Sequence, residues 1–91
     1  MTPTEILQAI EKAGVSITEA SKLLPLSRAT LHNWKSGATH GDALRIQLAS
    51  GYARLLLRAV ELKKLPLHDD TPRSERLPLI RRILADVKKT Q

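Results

Sequence analysis

The sequence predicts an all-α fold, a bundle of about five helices whose last member extends the C-terminal end. Three observations carry that expectation. The apolar residues, 42% of the chain, are almost all Leu, Ile, Val and Ala, with one Trp, one Tyr and no Phe, whereas strands favour β-branched and aromatic side chains. Apolar positions recur three and four residues apart, the period of a helix face. Proline, glycine and Ser/Thr residues fall between these segments, where helices start and stop. At 91 residues, a single core is expected.

The first helix is expected over 4–13. Thr2, Pro3, Thr4 and Glu5 supply cap residues and a first-turn proline, which fits a missing N–H to a position that has no helical partner anyway. Ile6, Leu7 and Ile10 form one stripe, and Gly14 suits the left-handed residue that ends a helix. Ser16 followed by Glu19 has the form of a capping box. The second helix runs from it through Ala20, Leu23 and Leu24, until Pro25 stops it. Ser27 is the N-cap of a third helix that turns Leu31 and Trp34 inward and ends at Ser36 and Gly37. A loop over 36–42 follows.

A long fourth helix is expected over 42–64, carrying Leu44, Ile46, Leu48, Tyr52, Leu55, Leu56, Leu57, Val60 and Leu62. These do not fit one narrow stripe, and a helix apolar on most sides is usually buried on most sides. So short a chain has little else to cover it, which predicts a partner subunit. Tyr52 is expected to pack, with its hydroxyl at an edge. The span 65–74 reads as a linker, with two prolines and a polar cluster. A last helix over 75–88 has Pro78 in its first turn. Its apolar face is Leu77, Ile80, Ile83, Leu84 and Val87, and its basic face Arg76, Arg81, Arg82, Lys88 and Lys89. That helix can pair two subunits through its apolar face, cover the fourth helix within one chain, or lay its basic face along an anion. Pairing of subunits is the favoured expectation. The chain thus divides into 1–64, the linker 65–74, and 75–91 as a dimerisation element.

The formal charge is +6 and the pI about 10.2, which makes a polyanion a candidate partner. The charge is uneven. Residues 1–41 hold Lys12, Lys22, Arg28 and Lys35 against Glu5, Glu11 and Glu19, so nearly all the excess lies in the second half. The absence of cysteine excludes disulfide scaffolds and thiolate metal sites. His32, His40 and His68, with Asp42, Asp69 and Asp70, show no paired ligand spacing, so no metal is expected. No nucleophile, base and orienting group can be read together, and no glycine loop cradles a phosphate. The expectation is therefore no enzyme, no cofactor and no small-molecule ligand. The N-terminal stretch lacks the basic-then-apolar layout of a signal peptide and the longest apolar run is 55–57, so a cytoplasmic protein with no membrane role is expected.

The run ITEASKLLPLSRATLHNWK at 17–35 has the physical layout of a helix-turn-helix. Ala20 is small where two helices must approach, Leu24, Leu26, Leu31 and Trp34 are apolar where they pack, and Pro25, Leu26 and Ser27 make the turn. The run, and the phrase SRATLHNWKSG within it and just beyond, resemble the helix-turn-helix of the lambda-repressor and Cro-like regulators of phage and bacteria. The resemblance is close over 17–35 and looser from the first helix into the start of the fourth. A more distant similarity links the chain to the lysogeny-promoting activators of lambda-like phage. The family often has glycine in the turn where this chain has Pro25, which cannot take a left-handed backbone.

What the resemblance implies is sequence-specific binding of double-stranded DNA by a lambda-repressor-like domain, with 28–36 as the helix entering the major groove. Carried over by position, Arg28, Ala29, His32 and Asn33 fall where the family contacts bases. Their chemistry suits that place: Arg makes bidentate contacts to guanine, Asn to adenine, and Ala packs on a thymine methyl. Thr18, Ser27, Thr30, Lys35 and Ser36 fall nearer phosphates, which set register without reading sequence. The implied protein is a small transcriptional regulator, a repressor before an activator, working as a homodimer on a roughly palindromic operator. The competing expectation is an assembly or interaction adaptor that has the helix-turn-helix shape and does not read DNA.

Overall fold

The computed structural model describes residues 1–37 and 43–89, and every regular element among them is a helix: α1 (Pro3–Lys12), α2 (Ile17–Leu23), α3 (Arg28–Lys35), α4 (Ala43–Glu61) and α5 (Arg73–Lys89). Most of the expected 36–42 loop, with the helix start expected at Asp42, lies outside the described residues, as do 90 and 91. No helix of the described residues is long and apolar enough to cross a membrane.

The first three helices start where their caps place them. Thr2 and Glu5 exchange both capping-box bonds: the Thr2 N–H donates to Glu5 Oε1 at 2.9 Å and the Glu5 N–H to Thr2 Oγ1 at 3.2 Å. Ser16 and Glu19 do the same at 3.0 and 3.1 Å. Each box satisfies two N–H groups that the helix itself cannot. At the other end of α1, Gly14 is left-handed, with φ +68°. There the Gly14 N–H donates to Glu11 O and the Val15 N–H to Ile10 O, the paired closure that left-handed glycine permits. Lys63 takes the same conformation after α4, with φ 61°, closing that end through Val60 O and Ala59 O.

One core joins all five helices. It includes Ile6 and Ile10 of α1, Leu31 and Trp34 of α3, Leu56 of α4 and Ile80 and Val87 of α5. α4 packs on α1 and α5, while α2 packs on α3 and α5. The buried side of α4 is made of small residues, Ala49, Ser50, Ala53 and Ala59, beside Leu56. Ser50 meets its own polar demand by donating to Ile46 O at 2.6 Å. Small side chains let helix axes come close, so the alanines face inward and several leucines do not. Leu44 is 69% exposed, Leu48 49%, and Tyr52 and Leu62 40% each. Within the one chain α4 is therefore buried on one side, and Tyr52 stands partly exposed.

The C-terminal segment is corrected more deeply. Ile80, Leu84 and Val87, expected to pair subunits, are buried within the one chain, because α5 folds back as the lid over α4 and α2. Ile83 is half-buried against the same core, and Leu77 lines a groove beside α2. The span 65–74 does not behave as a tether: Leu65 is a core residue. α5, over Arg73–Lys89, therefore packs into the same core as the other helices. α5 also begins two residues before the expected start, which leaves Pro78 inside the helix rather than in its first turn. The carbonyl of Ser74 loses its partner there, and since Ser74 and Pro78 are both exposed, water can replace it.

Candidate nucleic-acid interface

α3 is only eight residues long, about 12 Å of helix, and two side chains hold it down. Leu31 and Trp34 are buried at 0% and 3% exposure. Arg28, Ala29, His32 and Asn33 are all exposed. At about 100° per residue they span an arc of roughly 140°, centred nearly opposite the Leu31–Trp34 side. The first turn of α3 holds no acidic residue, so nothing at its start repels an anion. The four base-reading candidates thus stand together on one solvent-facing surface.

The phosphate candidates divide. Thr18 and Lys35 are exposed. Ser27, Thr30 and Ser36 have local work: Ser27 Oγ accepts the Thr30 N–H at 3.1 Å and pairs with Thr30 Oγ1 at 2.9 Å, and Ser36 Oγ donates to Asn33 O at 2.9 Å. Ser27 and Ser36 are exposed and Thr30 half-buried, but the single Ser36 proton goes to Asn33 O and one of the Ser27 and Thr30 protons goes to the other hydroxyl. A hydroxyl whose one proton is already donated has none left for a phosphate unless that bond is given up.

The connection between α2 and α3 turns tightly at Pro25. Leu24 and Leu26 are buried on either side of an exposed Pro25, and the Leu26 N–H donates to Leu24 O at 2.8 Å. This is a three-residue turn whose central residue has the φ that proline imposes. No left-handed residue is needed, so the absence of glycine carries no strain.

The position of α2 relative to the rest is set by residues that pattern reading did not connect. Arg76 of α5 donates from Nε to Glu19 Oε2 at 2.9 Å, and from Nη2 to Gly14 O at 2.6 Å and Glu19 Oε1 at 3.3 Å. It was expected on the solvent face of its helix, yet its side chain is only 21% exposed. Further along, Arg81 Nη2 donates to Lys22 O at 3.4 Å, at the last turn of α2. Burial pushes the Glu19 carboxyl up, but the Arg76 hydrogen bonds and charge, with the Ser16 N–H and hydroxyl, outweigh it and hold the carboxyl below its ordinary value. Nothing local in the sequence signals a bond across 57 positions.

No group of three or more His, Asp or Glu among the described residues is placed to hold a metal. No known protein family, curated protein or solved structure matches the chain.

Proposed function

We propose that the protein binds double-stranded DNA in a sequence-specific way and acts as a small transcriptional regulator, with α3 as the reading helix. The observation that supports this best is the division of α3: Leu31 and Trp34 anchor it, and Arg28, Ala29, His32 and Asn33 share the opposite, exposed arc. An α-helix is about 10–12 Å across with its side chains, which fits a major groove about 12 Å wide. The likeness of 17–37 to lambda-repressor and Cro-like regulators supports the same reading. Two copies on a roughly palindromic operator would double the contact. With Ile80, Leu84 and Val87 buried, pairing falls to the exposed α4 side chains Leu44, Leu48 and Tyr52.

Selection of duplexes from a random pool, followed by titration, tests the reading. Arg28→Ala is expected to lose about 1–3 kcal/mol on the selected site and to relax choice at one base pair. Lys35→Ala is expected to weaken every duplex about equally. If no duplex binds in a salt-sensitive manner, the proposal fails.

One observation favours a second reading, an adaptor that does not read DNA. A groove of about 700 Å³ between α4 and α5 is lined by Leu48, Tyr52 and Leu55, with Arg54, Arg81 and Lys88 beside them. Apolar surface with a charged rim is also what a protein partner meets. Association through it would resist salt, whereas DNA binding weakens steeply.

A further inference from the structure

The excess positive charge lies in the second half of the chain, away from the reading helix in sequence. The fold brings part of it back. A groove of about 690 Å³ runs between α2, with the turn before it, and the start of α5, lined among others by Ser16, Thr18, Glu19, Lys22, Arg73 and Arg76. Its charges are not equivalent. Arg76 and Glu19 are bonded to each other and largely cancel. Lys22 and Arg73 are exposed, and neither faces an acidic lining residue other than the neutralised Glu19. Thr18, on the exposed side of α2 one turn from Lys22, adds a hydroxyl. The groove therefore presents two cations and a hydroxyl, anchored to α2 by the Glu19–Arg76 pair.

We propose that this groove is a phosphate-binding track for the DNA backbone, with Arg73 and Lys22 as the cations that hold it and Thr18 as a neutral donor. The proposal rests on the reading of α3 as the DNA-binding helix. α2 packs directly on α3, so a duplex seated on α3 runs past α2, and the start of α5 adds the Arg73 cation there. The ligand chemistry is a row of phosphodiesters rather than a single anion. The groove is open, built from long flexible cations, and suited to contacts that carry no base information. It also gives a role to Arg73, one of the cations of the basic second half, which α3 alone leaves unexplained.

The experiment measures binding of the full chain to a random duplex and to a selected duplex across a range of salt. Each lost phosphate contact lowers the slope of log K against log salt by about 0.9, or about eightfold in affinity at 0.1 M monovalent salt. Arg73→Ala and Lys22→Ala are each expected to show this loss on both duplexes, with sequence preference unchanged. Arg73→Lys is expected to keep the slope, since a point charge suffices for a phosphate. Helicity and thermal unfolding confirm that the variants fold; both residues are exposed, so a folding loss is not expected. If the parent binds and both alanine variants keep its slope, the track is overturned while the reading of α3 stands. If the slopes fall but Arg28→Ala and Asn33→Ala leave sequence preference untouched, the track holds and base reading by α3 is overturned. If the parent binds no duplex, both fall.

Discussion

The Glu19 carboxylate serves two elements at once: Oε1 accepts the Ser16 N–H at 3.0 Å, closing the cap of α2, and Oε2 accepts Arg76 Nε of α5 at 2.9 Å. The arrangement couples a local feature to a tertiary one. The capping box fixes the rotamer of Glu19, so the carboxylate is held in place when α5 arrives. Arg76 also bonds Gly14 O, two residues before the α2 cap Ser16. One guanidinium thus ties both sides of the α1–α2 corner to the last helix.

A double-mutant cycle tests that coupling. Glu19→Gln and Arg76→Ala are each expected to destabilise by about 1–3 kcal/mol, since hydrogen bonds to charged, partly buried groups are worth about that much. The double variant is expected to cost clearly less than the sum of the two. Chemical unfolding of the four proteins measures it, and strict additivity would show that the pair contributes no energy of its own.

The same carboxylate makes stability depend on acid. Its folded pKa lies below the ordinary value of 4.5, so the unfolded chain binds the proton first as pH falls. The stabilisation is complete above that ordinary value and disappears as pH drops through the lower folded value. Glu5, lowered by the N–H and hydroxyl of Thr2, acts in the same direction. Thermal unfolding between pH 6 and pH 3, taken as about the range either side of carboxylate titration, is expected to fall less steeply in Glu19→Gln than in the parent. Parallel curves would remove Glu19 from the acid response.

Gly14 is constrained twice. Its φ is +68°, and a Cβ placed on it would lie 2.6 Å from Pro66 Cβ. Gly14→Ala combines a left-handed cost of about 1–2 kcal/mol with overpacking of about 1–3 kcal/mol. A loss of about 2–5 kcal/mol in denaturant unfolding is expected. A loss under about 1 kcal/mol would mean that Pro66 moves aside freely.

For α5, the prediction concerns stability rather than assembly. Ile80 is fully buried in the single chain, so Ile80→Ala is expected to destabilise by about 2–5 kcal/mol through lost burial and a cavity. Sedimentation under native conditions is expected to give the same mass for parent and variant. A variant that loses mass with little change in stability would restore the pairing role first expected of this face.

Much of the secondary structure was legible because its signals are local. Thr2, Ser16 and Ser27 mark helix starts, and Gly14 and Pro25 mark stops, through bonds and dihedrals within a few residues. The division of α3 was legible for the same reason: Leu31 and Trp34 at helical spacing leave Arg28, Ala29, His32 and Asn33 on the other side. The start of α5 lies two residues earlier than Pro78 suggested, at the exposed Arg73 and Ser74.

What the sequence by itself determined is the set of helices and the side of α3 available to a ligand, since short-range hydrogen bonding and periodicity decide both. The tertiary structure alone decided which apolar faces meet. α4 turns its alanines inward because close helix packing favours small side chains, and it leaves Leu44, Leu48 and Tyr52 outside. α5 gives Ile80, Leu84 and Val87 to its own chain rather than to a second one, because that face closes the core over α4. The Glu19–Arg76 pair, and the grouping of Thr18, Lys22 and Arg73, arise from that same closure. They join residues far apart in sequence, and no local pattern encodes which distant side chains a packed helix will bring together.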